Sequence, residues 1–350
     1  MAIIDKPSDY FNTVLYTGNG ASSRAITGVG FQPDWVWNKP RTNTNDYQLV
    51  DSVRGGGKVI SSNLADAEYT AGNTILSFGS DGFTCGDGAS VNANGVTYAS
   101  WNWKAGTSVS GNTTGSGTSK SYTGSVNTTA GFSIIRYTGN GTAGHTIPHH
   151  LGVQPQLVIC KRLGQYGQWV VGSMALPNQF EQFLELDLTG AAQTSSLRWN
   201  NTDPSSSVFT VGSTLDTNAN DINIIAYSFA QKQGYSKFGS YTGNGNADGT
   251  FVYTGFKPAY VMAKKSSTTS SWGIFDNKRN PYNVVDLRLL ANTSGADDQS
   301  SDNNIDFLSN GFKFRSSAGW NASATYIYMA FAENPFVTST GNGSIPACAR

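Results

Sequence analysis

Tyr16-Thr17-Gly18-Asn19-Gly20 recurs as Tyr137–Gly141 and again as Tyr241–Gly245. Each copy opens a segment of about a hundred residues with the same landmarks in the same order, so a whole domain has been copied. A proline follows each tyrosine at 17, 18 and 17 residues: Pro33, Pro155 and Pro258. Six residues after each proline stands a lysine (Lys39, Lys161, Lys264), and fourteen after it an aromatic (Tyr47, Trp169, Trp272). Apolar runs separate proline from lysine, and each repeat ends on another, at Tyr98–Trp103, Ile224–Phe229 and Tyr326–Phe331, preceded by a shared Phe83, Phe209 or Phe312. Copying a module multiplies contacts, whereas catalysis needs one site, so the pattern points away from an enzyme.

Glycine numbers 40 and charged residues make up only 13% of the chain. Short runs of Val, Ile, Tyr, Phe and Trp bounded by Gly, Asn, Asp and Pro predict strands and turns. Helical periodicity is scarce, with short candidates at Asn63–Tyr69, Asn178–Leu184 and Asn283–Leu290. The expectation is an all-β chain of three tandem antiparallel β-sandwich modules, jelly-roll or lectin-like, with little helix. Their bounds are 1–106, 132–234 and 235–336, with a Gly/Ser/Thr linker at 107–131 and a tail at 337–350. That long first linker and the tight second junction favour a two-plus-one layout over threefold symmetry, although a homotrimer of the chain is also open. Each lysine reads as the point where its strand emerges into water. The tyrosine of the repeated motif reads as a plug at the module's end, followed by a tight turn.

The formal charge is zero, with 23 basic and 23 acidic residues, and no basic stripe suits nucleic acid. The opening residues have no apolar run of a secretion signal, and no apolar stretch is long enough to span a membrane. Cys85, Cys160 and Cys348 sit at non-equivalent positions, which reads as free thiols from a reducing compartment. His145, His149 and His150 share one loop but lack metal-ligand spacing, and no cofactor is expected. Asp297, Asp298, Asp302 and Asp306 are the best calcium candidate, though a solvated loop is the simpler reading. For sugar recognition the candidates are Trp199, Trp320 and Tyr282, aromatics in Asn- and Ser-rich surroundings, with packing at a strand end as the competing reading.

Several strings resemble repeat-containing virion proteins of tailed, especially marine, bacteriophages. They include Asp5–Gly18, Phe31–Trp37, Asp51–Gly55, Thr128–Ile135, Leu151–Pro155, Phe275–Asn283 and Tyr326–Phe336. The resemblance covers nearly the whole chain and departs at His149-His150-Leu151-Gly152, where relatives read His-Gly-Leu-Gly. It implies a non-enzymatic virion protein, a tail fibre or other adsorption component that grips a host surface glycan. The alternative is a capsid decoration or neck-associated protein that grips other virion proteins. Both place the chain in the virion, made in the host cytoplasm, with no nucleic-acid partner and no membrane insertion.

Overall fold

The computed structural model describes residues 3–340, so Cys348 and residues 341–350 of the expected tail lie outside it. The chain is all-β and antiparallel, built as three modules with one strand order. In each, an opening strand carries the repeated tyrosine: Phe11–Thr17, Phe132–Thr138 or Ser236–Thr242. It pairs with the module's closing strand (Thr97–Trp103, Asn223–Phe229, Thr325–Pro335). The closing strand pairs in turn with the lysine strand (Trp35–Pro40, Leu157–Arg162, Phe256–Lys265). A fourth strand completes the shared sheet: Gln48–Asp51, Trp169–Ser173 or Trp272–Asp276. A smaller outer sheet of three strands covers one face of each large sheet.

The large sheets are buried on both faces, which is why their strands read as apolar almost throughout. Alternate side chains serve different cores, as the period-two geometry of a strand requires. Val36, Val158 and Val261 point into their own modules' cores. Their neighbours Trp35, Trp37, Leu157, Ile159, Tyr260 and Met262 point the other way, into one central core common to all three modules. Aromatic rings dominate that centre. Trp35 stacks on Tyr227 at 4.3 Å, Trp103 meets Tyr260 at 6.0 Å, and Phe229 meets Phe331 at 6.0 Å.

The three modules therefore close into a ring around an internal pseudo-threefold axis, and one set of equivalent residues makes equivalent contacts at each interface. The aromatic fourteen residues after the proline donates to a carbonyl of the neighbouring module every time. Trp169 Nε1 reaches Ser61 and Leu64 at 3.0 and 3.1 Å, Trp272 Nε1 reaches Glu185 at 2.9 Å, and the Tyr47 hydroxyl reaches Leu290 at 3.0 Å. Backbone bonds repeat the cycle: Glu68 N to Leu163 O at 2.8 Å, Ala192 N to Ser266 O at 2.8 Å, and Asp297 N to Arg41 O at 2.7 Å. Such head-to-tail contacts close when the rotation is one third of a turn. The expected two-plus-one layout is thus replaced by a closed ring.

The expected linker is also corrected. Residues Thr107–Asn112 and Ser121–Asn127 are strands that extend the second module's large sheet, and Thr114–Gly115 joins its outer sheet. Tyr122 and Val126 are buried against that module's core, which ties down a segment whose composition alone suggests flexibility. Little helix forms, as expected, but its placement differs. Asn63–Tyr69 is not helical, Asn178–Leu184 holds one 3-10 turn (Gln179–Glu181), and the third candidate contributes a strand, Leu287–Leu290. Two single α-turns form instead, at Ser196–Trp199 and Leu215–Asn218.

The repeated lysines do not emerge into water. Lys39, Lys161 and Lys264 are fully buried, each ammonium held by backbone carbonyls. Lys39 Nζ reaches Pro40 and Asn43 (2.9 and 3.2 Å), Lys161 reaches Ala65 and Gly167 (2.8 and 2.6 Å), and Lys264 reaches Lys265 and Thr189 (2.7 and 3.3 Å). Ala65 and Thr189 belong to the neighbouring module, so two of the lysines tie interfaces together. Burial pushes all three down to about 8. Between that value and the ordinary 10.5 the unfolded chain binds more protons than the folded one, so stability rises with pH. The buried tyrosines Tyr137, Tyr227, Tyr235, Tyr241 and Tyr260 act oppositely. Desolvation raises them, so above about pH 10 the unfolded chain sheds protons that the folded one keeps. Thermal melts from pH 7.5 to 11 are expected to show maximum stability near pH 9.5, with each lysine contributing on the order of 1–2 kcal/mol to the rise. A flat or falling profile between pH 8 and 9.5 would contradict the buried-ammonium account.

Candidate functional site

The repeated Tyr-Thr-Gly-Asn-Gly is a structural clamp. The tyrosine hydroxyls donate inward, Tyr16 to Val91 O, Tyr137 to Thr217 O and Tyr241 to Trp320 O, at 2.7, 2.6 and 2.7 Å. A fully buried asparagine, Asn92, Asn218 or Asn321, then accepts from the backbone N–H of the motif's own asparagine at 3.1, 2.8 and 3.3 Å. The motif's first glycine has no room for a side chain: a Cβ on Gly18, Gly139 or Gly243 would lie 2.0–2.4 Å from a carbonyl oxygen. Its last glycine takes a left-handed φ of 72°, 73° or 64°. These clamps fix the module ends.

Of the three aromatics expected to meet a sugar, two are inside the protein. Trp199 is fully buried, its ring edge-on to Phe180 at 5.3 Å and to Phe209 at 6.3 Å. Trp320 is 4% exposed and donates from Nε1 to Ala263 O at 3.1 Å. Both have the competing role of core aromatics, because the Asn- and Ser-rich stretches around them are turns that fold back over the sheet. Tyr282 alone is open, at 81% exposure, beside a cleft of about 380 Å³ lined by Lys257, Asn277, Asn280, Asn283 and Phe307.

The acidic loop is not poised for calcium. Asp297 is held by Arg41 at 2.7 Å and Arg279 at 2.8 Å, Asp298 by Arg288, and Asp306 by Arg315 at 3.6 Å. Among the described residues no group of three or more His, Cys, Asp or Glu side chains is placed to hold a metal ion. The histidines are separated likewise: His145 and His149 are buried, and burial lowers both.

The outer sheet of the third module departs from the other two in what it exposes. In each outer sheet one residue of the first strand packs inward opposite the shared phenylalanine: Ile26, Ile147 and Val252 face Phe83, Phe209 and Phe312. The residues on either side must face solvent. They are Ala25 and Thr27 in the first module and Thr146 and Pro148 in the second, but Phe251 and Tyr253 in the third. These two rings are 44% and 59% exposed. Two positions apart on one strand face, they stand about 7 Å from each other. Phe251 lies across Gly311, where any Cβ would come within 2.9 Å of the ring. Beside it Lys313 pairs with Asp248 at 2.5 Å. Tyr253 also walls a cleft of about 290 Å³ that includes Lys232, Lys237, Gly255, Phe336 and Val337. Flat aromatic faces rimmed by polar groups suit ligands with an apolar face and polar edges, such as sugars.

The sequence reading does not reach Phe251 and Tyr253. The signal is available only when the three repeats are set side by side and the outward positions compared. The clamp asparagines were visible too, as Asn92-Ala93, Asn218-Ala219 and Asn321-Ala322.

Residues 6–335 match the DUF7483 family, described as a domain of unknown function, and the chain belongs to it. No curated protein and no solved structure matches the chain. No helix among the described residues is long and apolar enough to cross a membrane.

Proposed function

We propose that the chain is a non-enzymatic virion protein of a tailed bacteriophage, a tail-fibre or adsorption component that grips a host surface glycan through the outer sheet of its third module. The observation that carries the reading is the exposed Phe251–Tyr253 pair, confined to one of three otherwise equivalent positions. The resemblance of strings such as Asp5–Gly18 and Tyr326–Phe336 to phage virion proteins supplies the setting. The rigid ring would hold this face steady, reducing the ordering cost of binding.

Labelled protein mixed with host cells tests the reading. Saturable binding that competes with phage adsorption is expected, and the double variant F251A/Y253A is expected to weaken it about tenfold, as two aromatic contacts of roughly 0.5–1.5 kcal/mol each imply. Its melting temperature should stay close to that of the parent, because both rings face solvent. Trp199→Ala should instead lower stability.

The closed threefold ring favours a second reading, a capsid decoration or neck protein seated at a symmetric position among other virion proteins. That reading gains if the folded protein binds no cells but attaches to particles lacking it.

A further inference from the structure

We infer that the cleft between Tyr253 and the segment Phe336–Val337 is a subsite for an anionic sugar residue; this rests on the adsorption reading above and names the ligand class of its site. The lining combines apolar groups with the polar Gln231, Gln233, Ser236 and Thr254. Tyr253 stands on one side, Phe336 and Val337 (38% and 41% exposed) on the other, and Gly234 and Gly255 lie between, both in left-handed conformations. Phe336 is fixed in place, its N–H donating to Gly255 O at 3.1 Å.

The charge of the cleft is one-sided. Lys232 and Lys237 both line it, no carboxylate does, and neither lysine has an ion-pair partner among the described residues. Neighbouring carboxylates are already engaged: Glu333 by Lys257 at 2.7 Å, and Asp5 by the Ser339 N–H at 2.7 Å. Lys39, Lys161 and Lys264 are held by carbonyls and Lys120 and Lys313 by acids, whereas Lys104 and Lys265 rest on aromatic rings. Two half-buried lysines without acid partners beside an exposed ring suit a ligand with an apolar face and one negative group. Lysines act as point charges and do not form the bidentate fork of arginine, so a single carboxylate, sulfate or phosphate on a sugar is enough. A volume near 290 Å³ is at the small end for ligand sites and fits a terminal unit better than a long chain.

Among the described residues the equivalent positions of the other modules carry no such pair. The positions equivalent to Lys237 are Asn12 and Ser133, those equivalent to Tyr253 are Thr27 and Pro148, and there the chain runs on into the next module.

The test titrates the whole chain with three probes: an oligosaccharide containing uronic acid, its carboxyl-reduced neutral counterpart, and a sulfated analogue. The parent is expected to bind at least one anionic probe ten or more times tighter than the neutral one, with affinity falling as salt rises. The double variant K232Q/K237Q should lose that preference and bind acidic and neutral probes alike, while Tyr253→Ala weakens every probe. Equal affinity for acidic and neutral probes, or an unchanged preference in K232Q/K237Q, overturns the inference. Host-cell binding by the same preparations separates the two levels. Cells bound by the parent and by K232Q/K237Q alike leave the adsorption reading standing and remove the subsite. No binding to cells by the folded parent removes the adsorption reading, and the inference with it.

Discussion

Arg279→Met is expected to lower stability by about 3–5 kcal/mol, because it leaves the fully buried Asp276 carboxylate without its counter-charge. The Arg279 side chain is fully buried. Nε meets Asp276 at 2.6 Å, one terminal nitrogen meets Asp297 at 2.8 Å, and the other donates to Ile274 O at 2.9 Å. Trp101 of the first module completes the group, donating to Asp276 at 3.2 Å with the guanidinium 5.6 Å from its ring. The same device recurs one interface on. Arg54 meets Asp51 at 2.5 Å, and Tyr227 of the second module donates to Asp51 at 2.7 Å. At the third interface the ion pair is absent: Ser173 and Leu176 occupy the acid and base positions, and Met329 replaces the aromatic donor. Acid, base and donor are thus replaced as a set, as expected where removing one partner of a buried pair is costly and exchanging the whole group is not.

The chain therefore contains its own control. The triple variant W101M/D276S/R279L copies the third interface onto the first, and it should recover most of what Arg279→Met loses, with Asp297 still held by Arg41. Urea denaturation of the single and triple variants decides the matter. A loss below about 1 kcal/mol for Arg279→Met, or a triple variant weaker than the single one, would contradict the account.

What could be read before the structure follows from what repeats. The shared Phe83, Phe209 and Phe312, the doubly buried closing strands and the three modules were legible because burial selects apolar residues at fixed spacing. The closure of the ring was not, because its marks are ambiguous alone. A lysine ending an apolar run means emergence into water unless carbonyls such as Ala65 O and Thr189 O wait for it on a neighbouring module. Asp51-x-x-Arg54 and Asp276-x-x-Arg279 recur at the same distance from their prolines, yet surface ion pairs have the same spacing. The stretch 107–131 reads as a linker because Ser, Thr and Gly carry little burial signal, although Tyr122 and Val126 face inward. Two of the three sugar candidates, Trp199 and Trp320, prove buried for a related reason, while Tyr282 is open. Local polarity around Trp199 and Trp320 reports turns, not exposure, whereas Phe251 and Tyr253 sit in a run that looks like ordinary core.

The second large effect concerns cooperativity. Trp35→Ala is expected to cost about 3–5 kcal/mol, the usual range for deleting a buried tryptophan. The loss should fall on more than the module that contains it. Trp35 lies against Trp103 at 4.7 Å within its own sheet and against Tyr227, Phe132 and Phe229 of the second module at 4.3, 5.9 and 6.1 Å. Trp103 carries the contact onward to Tyr260 and Phe331 of the third. An inward face made of such rings could not stand exposed in a separated module, so each module's folding depends on the other two. Unfolding is expected as one transition, with Trp35→Ala shifting it as a whole. Hydrogen exchange of backbone amides in the closing strands Asn223–Phe229 and Thr325–Pro335, followed through the transition with and without Trp35→Ala, supplies the reporters for the second and third modules. Coincident midpoints that move together in Trp35→Ala are the expected result. A first module that melts early and leaves the other two reporters at their original midpoint would mean that the sandwiches are independent units in contact, and that the shared core does not bind them into a single fold.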